Sequence, residues 1–222
     1  MRRRLAVFDV DGTLSDSQHH IHAAMTQSFA AQGLAAPDLE AVRQIVGLSL
    51  PLALVRLAPQ ADARLIDALV QGYKQSYYVA RSDKPAPLFP GAAEVLARLA
   101  ARSDILLGIA TGKSRRGLDA LLTQFGLTAI FVTKQVADDH PSKPNPAMLL
   151  AALAETGVAA ADAVMIGDTS FDMEMAGAAG VGSIGVTWGY HAPEALTAAG
   201  AGRLVADFAA LEAVLDTPWG SA

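Results

Sequence analysis

Two aspartates at alternate positions, Asp9 and Asp11, follow directly on the apolar run Leu5 to Phe8 and are closed by Gly12 and Thr13. Strand side chains alternate faces, but at a strand's end the backbone can curl so that the Asp9 carboxylate and the main chain of Asp11 converge on one point. Close carboxylates repel unless a cation or a shared proton lies between them, and donors that are all oxygen suit a hard cation such as Mg2+. The same residues also make an Asx turn with Gly12 as its turn residue, and this short stretch alone leaves both readings open.

Three further polar groups are placed where they could act with this pair. Ala110-Thr111-Gly112-Lys113 brings a hydroxyl and exposed amides to the start of a helix, which is either an anion site or an ordinary N-cap and turn. Pro141-Ser142-Lys143-Pro144-Asn145-Pro146 holds a lysine in a stretch stiffened by three prolines, so Lys143 has less freedom to lose on meeting an anion than a solvated loop lysine would. Gly167-Asp168-Thr169-Ser170-Phe171-Asp172 places two acids one helical turn apart, as metal-site acids or as residues that cap a helix and favour its dipole.

Each group needs a strand to carry it. Apolar periodicity predicts strands at Leu5 to Phe8, Ile105 to Ala110, Ile130 to Val132, Val164 to Ile166, Ser183 to Val186 and Leu204 with Val205, with helices between the later ones. That alternation means a parallel sheet with crossover helices, whose ligands bind at the C-terminal strand ends near the switch point. Between Asp16 and Pro87 the pattern is helical throughout: Ile21 to Phe29 closed by Gly33, Leu39 to Val46, Pro51 to Leu57, and Asp62 to about Arg81. Lys84, Pro85, Pro87, Pro90 and Gly91 read as the linker that returns the chain to the sheet.

Composition narrows the partners. A chain of 222 residues, 52% hydrophobic, can bury a substantial core. Its 17 basic and 22 acidic residues give a net charge of -5 with no basic run beyond Arg2 to Arg4, which argues against nucleic acid, since binding a phosphate backbone normally needs a basic face. The absence of cysteine excludes thiolate metal sites and cysteine nucleophiles and fits a cytoplasmic protein. The apolar run after Arg2 to Arg4 is too short for a signal sequence, and no segment reaches a membrane-spanning length.

Asp9-Val10-Asp11-Gly12-Thr13, Thr111, Lys143 and Gly167-Asp168 with Asp172 together resemble the four sequence motifs of the haloacid dehalogenase-like hydrolase superfamily, over essentially the whole chain. Gly185 to Tyr190, followed by Pro193 to Leu196, is similar to the phosphoglycolate phosphatase branch of that superfamily. The resemblance implies an α/β fold, a Rossmann-like parallel sheet in the order 5-4-1-2-3, with a core of residues 1–15 and 87–222 and an inserted all-helical cap of residues 16–86. It implies a Mg2+-dependent phosphatase that hydrolyses a small phosphorylated metabolite, phosphoglycolate-like or a sugar phosphate, as a monomer or homodimer. Asp9 would be the nucleophile that forms an aspartyl phosphate, and Asp11 the acid to the leaving alcohol and the base to water. Mg2+ would be held by the Asp9 carboxylate, the Asp11 carbonyl and Asp168; Thr111, the Gly112 amide and Lys143 would bind phosphate oxygens; Asp172 would act through water or hold Lys143.

Three other activities meet the same pattern. Family dehalogenases lack the second aspartate, and Asp11 decides against them. A phosphomutase of the beta-phosphoglucomutase type shares the chemistry but usually has adjacent acids where this chain has Gly167-Asp168-Thr169. A non-catalytic phosphate-binding module would have lost some of the four groups. Specificity would lie with the cap, whose candidates are Arg43, Gly47 to Ser49, Tyr77, Tyr78 and Arg81. The tail with Pro218, Trp219 and Gly220 reads as a frayed end, with Trp219 free to pack on a partner.

Overall fold

In the first strand, β1 (Arg4–Phe8), the four residues after Arg4 are buried. Its side chains alternate between two apolar layers, Ala6 and Phe8 entering one and Leu5 and Val7 the other. A strand covered on both faces belongs at the centre of a parallel sheet. The computed structural model, which describes residues 3–83, 86–217 and 219, places it there. The other strands are β2 (Ile105–Thr111), β3 (Phe131–Val136), β4 (Ala163–Gly167), β5 (Gly182–Val186) and β6 (Arg203–Val205), all parallel, in the order β3-β2-β1-β4-β5-β6. The expected order 5-4-1-2-3 is this sheet read from its other side, with β6 added beyond β5.

Phe8 of β1 is in register with Ile109 of β2 and Ile166 of β4, so the three strands end side by side. One face is covered by α5 (Ala92–Ala100), α6 (Arg115–Gln124) and α10 (Phe208–Leu215), through Leu96, Leu118 and Leu211. The other is covered by α7 (Ala147–Thr156) and α8 (Ser170–Ala179), through Met148 and Met175, while α9 (Pro193–Ala198) follows β5. Such two-sided burial fixes the register, since a slip by one residue would exchange the two faces.

Between β1 and α5 the described residues form four helices, α1 (Gln18–Ala31), α2 (Leu39–Arg43), α3 (Leu50–Leu57) and α4 (Ala63–Asp83). They enclose an apolar cluster of their own that includes Met25, Phe29, Val42, Leu54 and Leu69, completed by Phe171 and Tyr190 from the sheet side. The chain leaves the sheet and returns to it side by side: the Phe89 amide donates to Leu14 O at 3.0 Å and the Asp16 amide to Pro87 O at 2.9 Å. Lys84 and Pro85, read above as linker, lie outside the described residues, as do Pro218 and Gly220. Among the described residues no helix is long and apolar enough to cross a membrane.

Two sequence expectations change. β3 runs to Val136 and not to Val132, because Thr133 and Gln135 are buried polar residues satisfied by each other and by Glu155 and His140. Trp219 is not a free end: its indole donates to Leu215 O at 3.0 Å and its ring lies 4.6 Å from the Arg4 guanidinium carbon.

Candidate active site

Where β1 ends, its backbone stays tied to β4, with the Asp9 amide donating to Ile166 O at 2.9 Å. Gly12 then turns at φ 86°, a left-handed conformation that disfavours any side chain. A Cβ there would also collide with the Asp168 carboxylate, and so would one on Gly189. The two glycines form the walls of a slot that holds Asp168. Inside it, Asp168 Oδ1 accepts from the Thr13 hydroxyl at 2.8 Å and Oδ2 from the Tyr190 amide at 2.9 Å.

α8 begins with a capping box, the Thr169 amide and hydroxyl donating to Asp172 Oδ2 at 3.1 and 2.7 Å. The other Asp172 oxygen accepts from Lys143 Nζ at 2.6 Å. Asp172 is thus both a cap and the counter-ion that fixes Lys143, a lysine that is fully buried. Lys143 Nζ also stands 2.9 Å from Asp9 Oδ1, an ion pair without hydrogen-bond alignment, and both Asp9 oxygens are buried with no hydrogen bond.

The electrostatics follow from this burial. Desolvation pushes the Asp9 carboxyl up to about 7, against the pull of Lys143. Burial, then Asp9 and Asp172, push Asp168 well above the usual carboxylate range. Burial alone would lower Lys143, but Asp172 and Asp9 more than offset it, so its ammonium is held above the ordinary lysine value. One oxygen from each of Asp9, Asp168 and Asp172 lies within 4.8 Å of the others. Each Asp168 oxygen accepts one hydrogen bond and keeps a lone pair, whereas one Asp172 oxygen carries two hydrogen bonds and the other faces the Lys143 ammonium, so Asp9 and Asp168 have the greater capacity left for a cation. An unsatisfied buried carboxylate beside a second acid, with oxygen donors only, fits Mg2+.

Asp11 lies in a different setting. Lys113 Nζ donates to its two oxygens at 2.7 and 2.9 Å, and the Ser17 hydroxyl donates to Oδ1. Thr111 is fully buried and its hydroxyl accepts from the Lys113 amide at 3.2 Å. Gly112 lies against the helical segment, where a Cβ would come within 2.5 Å of Leu48 O. Asp9, Asp11, Thr111 and Gly112 line a cavity of about 540 Å³ between the strand ends and the four helices, with Lys143, Asp168 and Asp172 behind Asp9.

Of the specificity candidates, Gly47 to Ser49, Tyr77, Tyr78 and Arg81 line this cavity. Arg43 does not: its guanidinium donates to Gln18 Oε1 at 2.9 and 2.6 Å. Sequence reasoning passed over Lys113, Ser17, Thr13 and Tyr190. Lys113 follows directly on Thr111-Gly112, but nothing local pairs it with Asp11; Tyr190, whose hydroxyl accepts from the Ser17 amide at 3.0 Å, lies in the stretch Gly185 to Tyr190, which marked a family branch and not a site residue.

Comparison with known proteins agrees with this arrangement. The family described as haloacid dehalogenase-like hydrolase matches residues 6–186. A protein named Probable phosphatase IndB, of Dickeya dadantii, is 36% identical over 199 residues, which cover 88% of this chain and 86% of that one. A phosphoglycolate phosphatase of Rhodospirillum rubrum is 33% identical over 217 residues, 94% of this chain and 89% of its own. The crystal structure of a hydrolase from Pseudomonas syringae superimposes with a TM-score of 0.86 at 26% identity, over 96% of this chain and 98% of that one. The chain therefore belongs to the haloacid dehalogenase-like hydrolase family, in its phosphoglycolate phosphatase-like branch.

Proposed function

We propose that this phosphoric monoester hydrolase removes phosphate from a small phosphorylated metabolite in two steps, through an aspartyl phosphate on Asp9, with Mg2+ as cofactor. The observation that carries the proposal is Asp9 itself: a buried carboxylate at the cavity floor whose two oxygens take no hydrogen bond, flanked by Lys143 and Asp168. A buried carboxylate oxygen without a hydrogen bond is costly to keep, whereas a nucleophile must hold an oxygen free to attack. Phosphoglycolate, named for several relatives, and sugar phosphates are the first candidates.

In the first step Asp9 attacks phosphorus and Asp11 delivers a proton to the departing alcohol; in the second Asp11 takes a proton from the water that attacks the acyl phosphate. Lys143 has three N–H donors, of which one meets Asp172 and one faces Asp9, so the third would be left for a phosphoryl oxygen bound against Asp9. The Thr111 hydroxyl and the Gly112 amide would hold the others. Asp9, the Asp11 carbonyl and Asp168 would hold Mg2+, which offsets the repulsion between an anionic nucleophile and an anionic phosphate. Residues 16–86 would act as a cap on a core of residues 1–15 and 87–222, excluding water and shaping the leaving-group site.

Hydrolysis of an aryl phosphate should require Mg2+ and stop in excess chelator; full activity in chelator would rule out this mechanism. Asp11→Asn should slow an alkyl phosphate by ~10² to 10⁴-fold but an aryl phosphate less, because a good leaving group needs no proton. With the aryl ester, phosphoenzyme should accumulate and be seen by intact-protein mass spectrometry on Asp9. Equal losses for both esters with no trapped intermediate would mean that the two aspartates have other roles.

A further inference from the structure

The cavity is large and unevenly furnished for a compact substrate with two anionic groups. At about 540 Å³ it has room for roughly eighteen waters at ~30 Å³ each, far more than the two-carbon acid released from phosphoglycolate would displace. A carboxylate on so short a leaving group would lie close to the phosphoryl site and need a cation there. Lys113 is the cation at that depth, and its ammonium is already spent on the two Asp11 oxygens and on the Tyr77 hydroxyl at 3.0 Å. Arg43 is held by Gln18 outside the cavity lining.

The remaining cations of the lining stand toward the rim: Lys74 and Arg116 are exposed and Arg81 is half-buried. Arg81 and Arg116 lie 5.3 and 4.6 Å from the centre of the Tyr78 ring, and Tyr78 is 45% exposed. Between rim and floor the wall is apolar, with Met25, Ile45, Leu50 and Val70 from the helices, beside Tyr73 and Tyr77, whose rings stack at 5.6 Å. Water against such a wall is displaced favourably by an apolar body, and flat aromatic edges suit a flat ring.

We propose that the preferred substrates are phosphomonoesters of bulky, largely apolar alcohols carrying an aromatic ring, with the ring held between the helical wall and the tyrosines. The proposal rests on the phosphatase reading above and narrows it away from phosphoglycolate.

The test compares kcat/KM for 2-phenylethyl phosphate, ethyl phosphate and phosphoglycolate, all esters of primary alcohols, in Mg2+, with an aryl phosphate as control. 2-Phenylethyl phosphate should exceed both others by about tenfold or more, the range expected for an aromatic contact together with buried apolar surface. Any other ranking overturns the proposal while Mg2+-dependent hydrolysis of the aryl control keeps the phosphatase reading. Hydrolysis of none of the four would overturn that reading instead. Leu50→Trp, which fills the cavity from a half-buried position at the start of α3, should cut the advantage of 2-phenylethyl over ethyl phosphate by about tenfold. An undiminished advantage would place the ring elsewhere and overturn the proposal.

Discussion

The two ends of the parallel sheet treat charge in opposite ways. At the N-terminal end, Arg4, which opens β1, and Asp104, just ahead of β2, meet at 2.7 Å, Arg102 reaches Asp104 at 2.9 Å, and Arg102 pairs with Asp216. These groups are partly exposed and the Asp104 and Asp216 carboxylates accept aligned hydrogen bonds. At the C-terminal end Asp9, Lys143, Asp168 and Asp172 are buried, and among the described residues the Asp9 carboxylate oxygens have no hydrogen bond. The same residue type is consequently driven in opposite directions. Arg102 and Arg4 hold the Asp104 carboxyl well below the usual range by hydrogen bonding, while burial drives Asp9 up. Charge at one end follows what stability allows; at the other it is kept against stability, as expected where chemistry needs it.

Substitutions sharpen that contrast, beginning where it is greatest. Asp9→Asn keeps the side chain's shape and should lower turnover by roughly 10⁵-fold or more while the protein stays folded and binds phosphate, as measured by steady-state kinetics and calorimetry. A mild loss would remove Asp9 from the reaction. Lys143→Met leaves Asp9 and Asp172 without their buried counter-ion and should cost about 3–5 kcal/mol in urea unfolding, with Mg2+ recovering part of it. An unchanged midpoint would show that the buried pair contributes nothing to stability.

Acid should move the two ends in opposite senses. In chelator, the folded state keeps on Asp9 a proton that the unfolded chain has lost between its ordinary value of 3.8 and about 7. Stability should therefore fall as pH rises through that window, with Asp168 adding in the same sense, and Mg2+ should flatten the slope. Asp104 is depressed when folded, so its contribution is present above its ordinary value and disappears as pH falls below it. Asp104→Asn, the smallest effect, should cost no more than about 1 kcal/mol near neutral pH and leave activity unchanged. A loss of several kcal/mol would make the two ends alike.

Much of this molecule can be read along the chain, for reasons that also explain what cannot. β1, β2 and β4 are visible because their residues are apolar on both faces, and Asp9, Asp11 and Asp168 because an acid directly after such a run is conspicuous. The far half of β3 is hidden because Thr133 and Gln135 are buried through side-chain partners supplied by α7 and the following loop. Lys113 is hidden in another way: its partner Asp11 is 102 positions away, and only the fold selects it from the other basic residues. Arg43 looked available because it lies in the helical segment, but an intervening partner, Gln18, takes it.

Tyr190 bears on how the molecule can move. Its main chain grips Asp168, and its hydroxyl accepts the Ser17 amide just ahead of α1, where the chain passes into the helical segment. α1 cannot swing away from the sheet and leave Tyr190 in place without giving up that bond, which is worth about 1 kcal/mol net. Such a bond amounts to about twice RT, enough to bias the arrangement of α1 against the sheet without locking it.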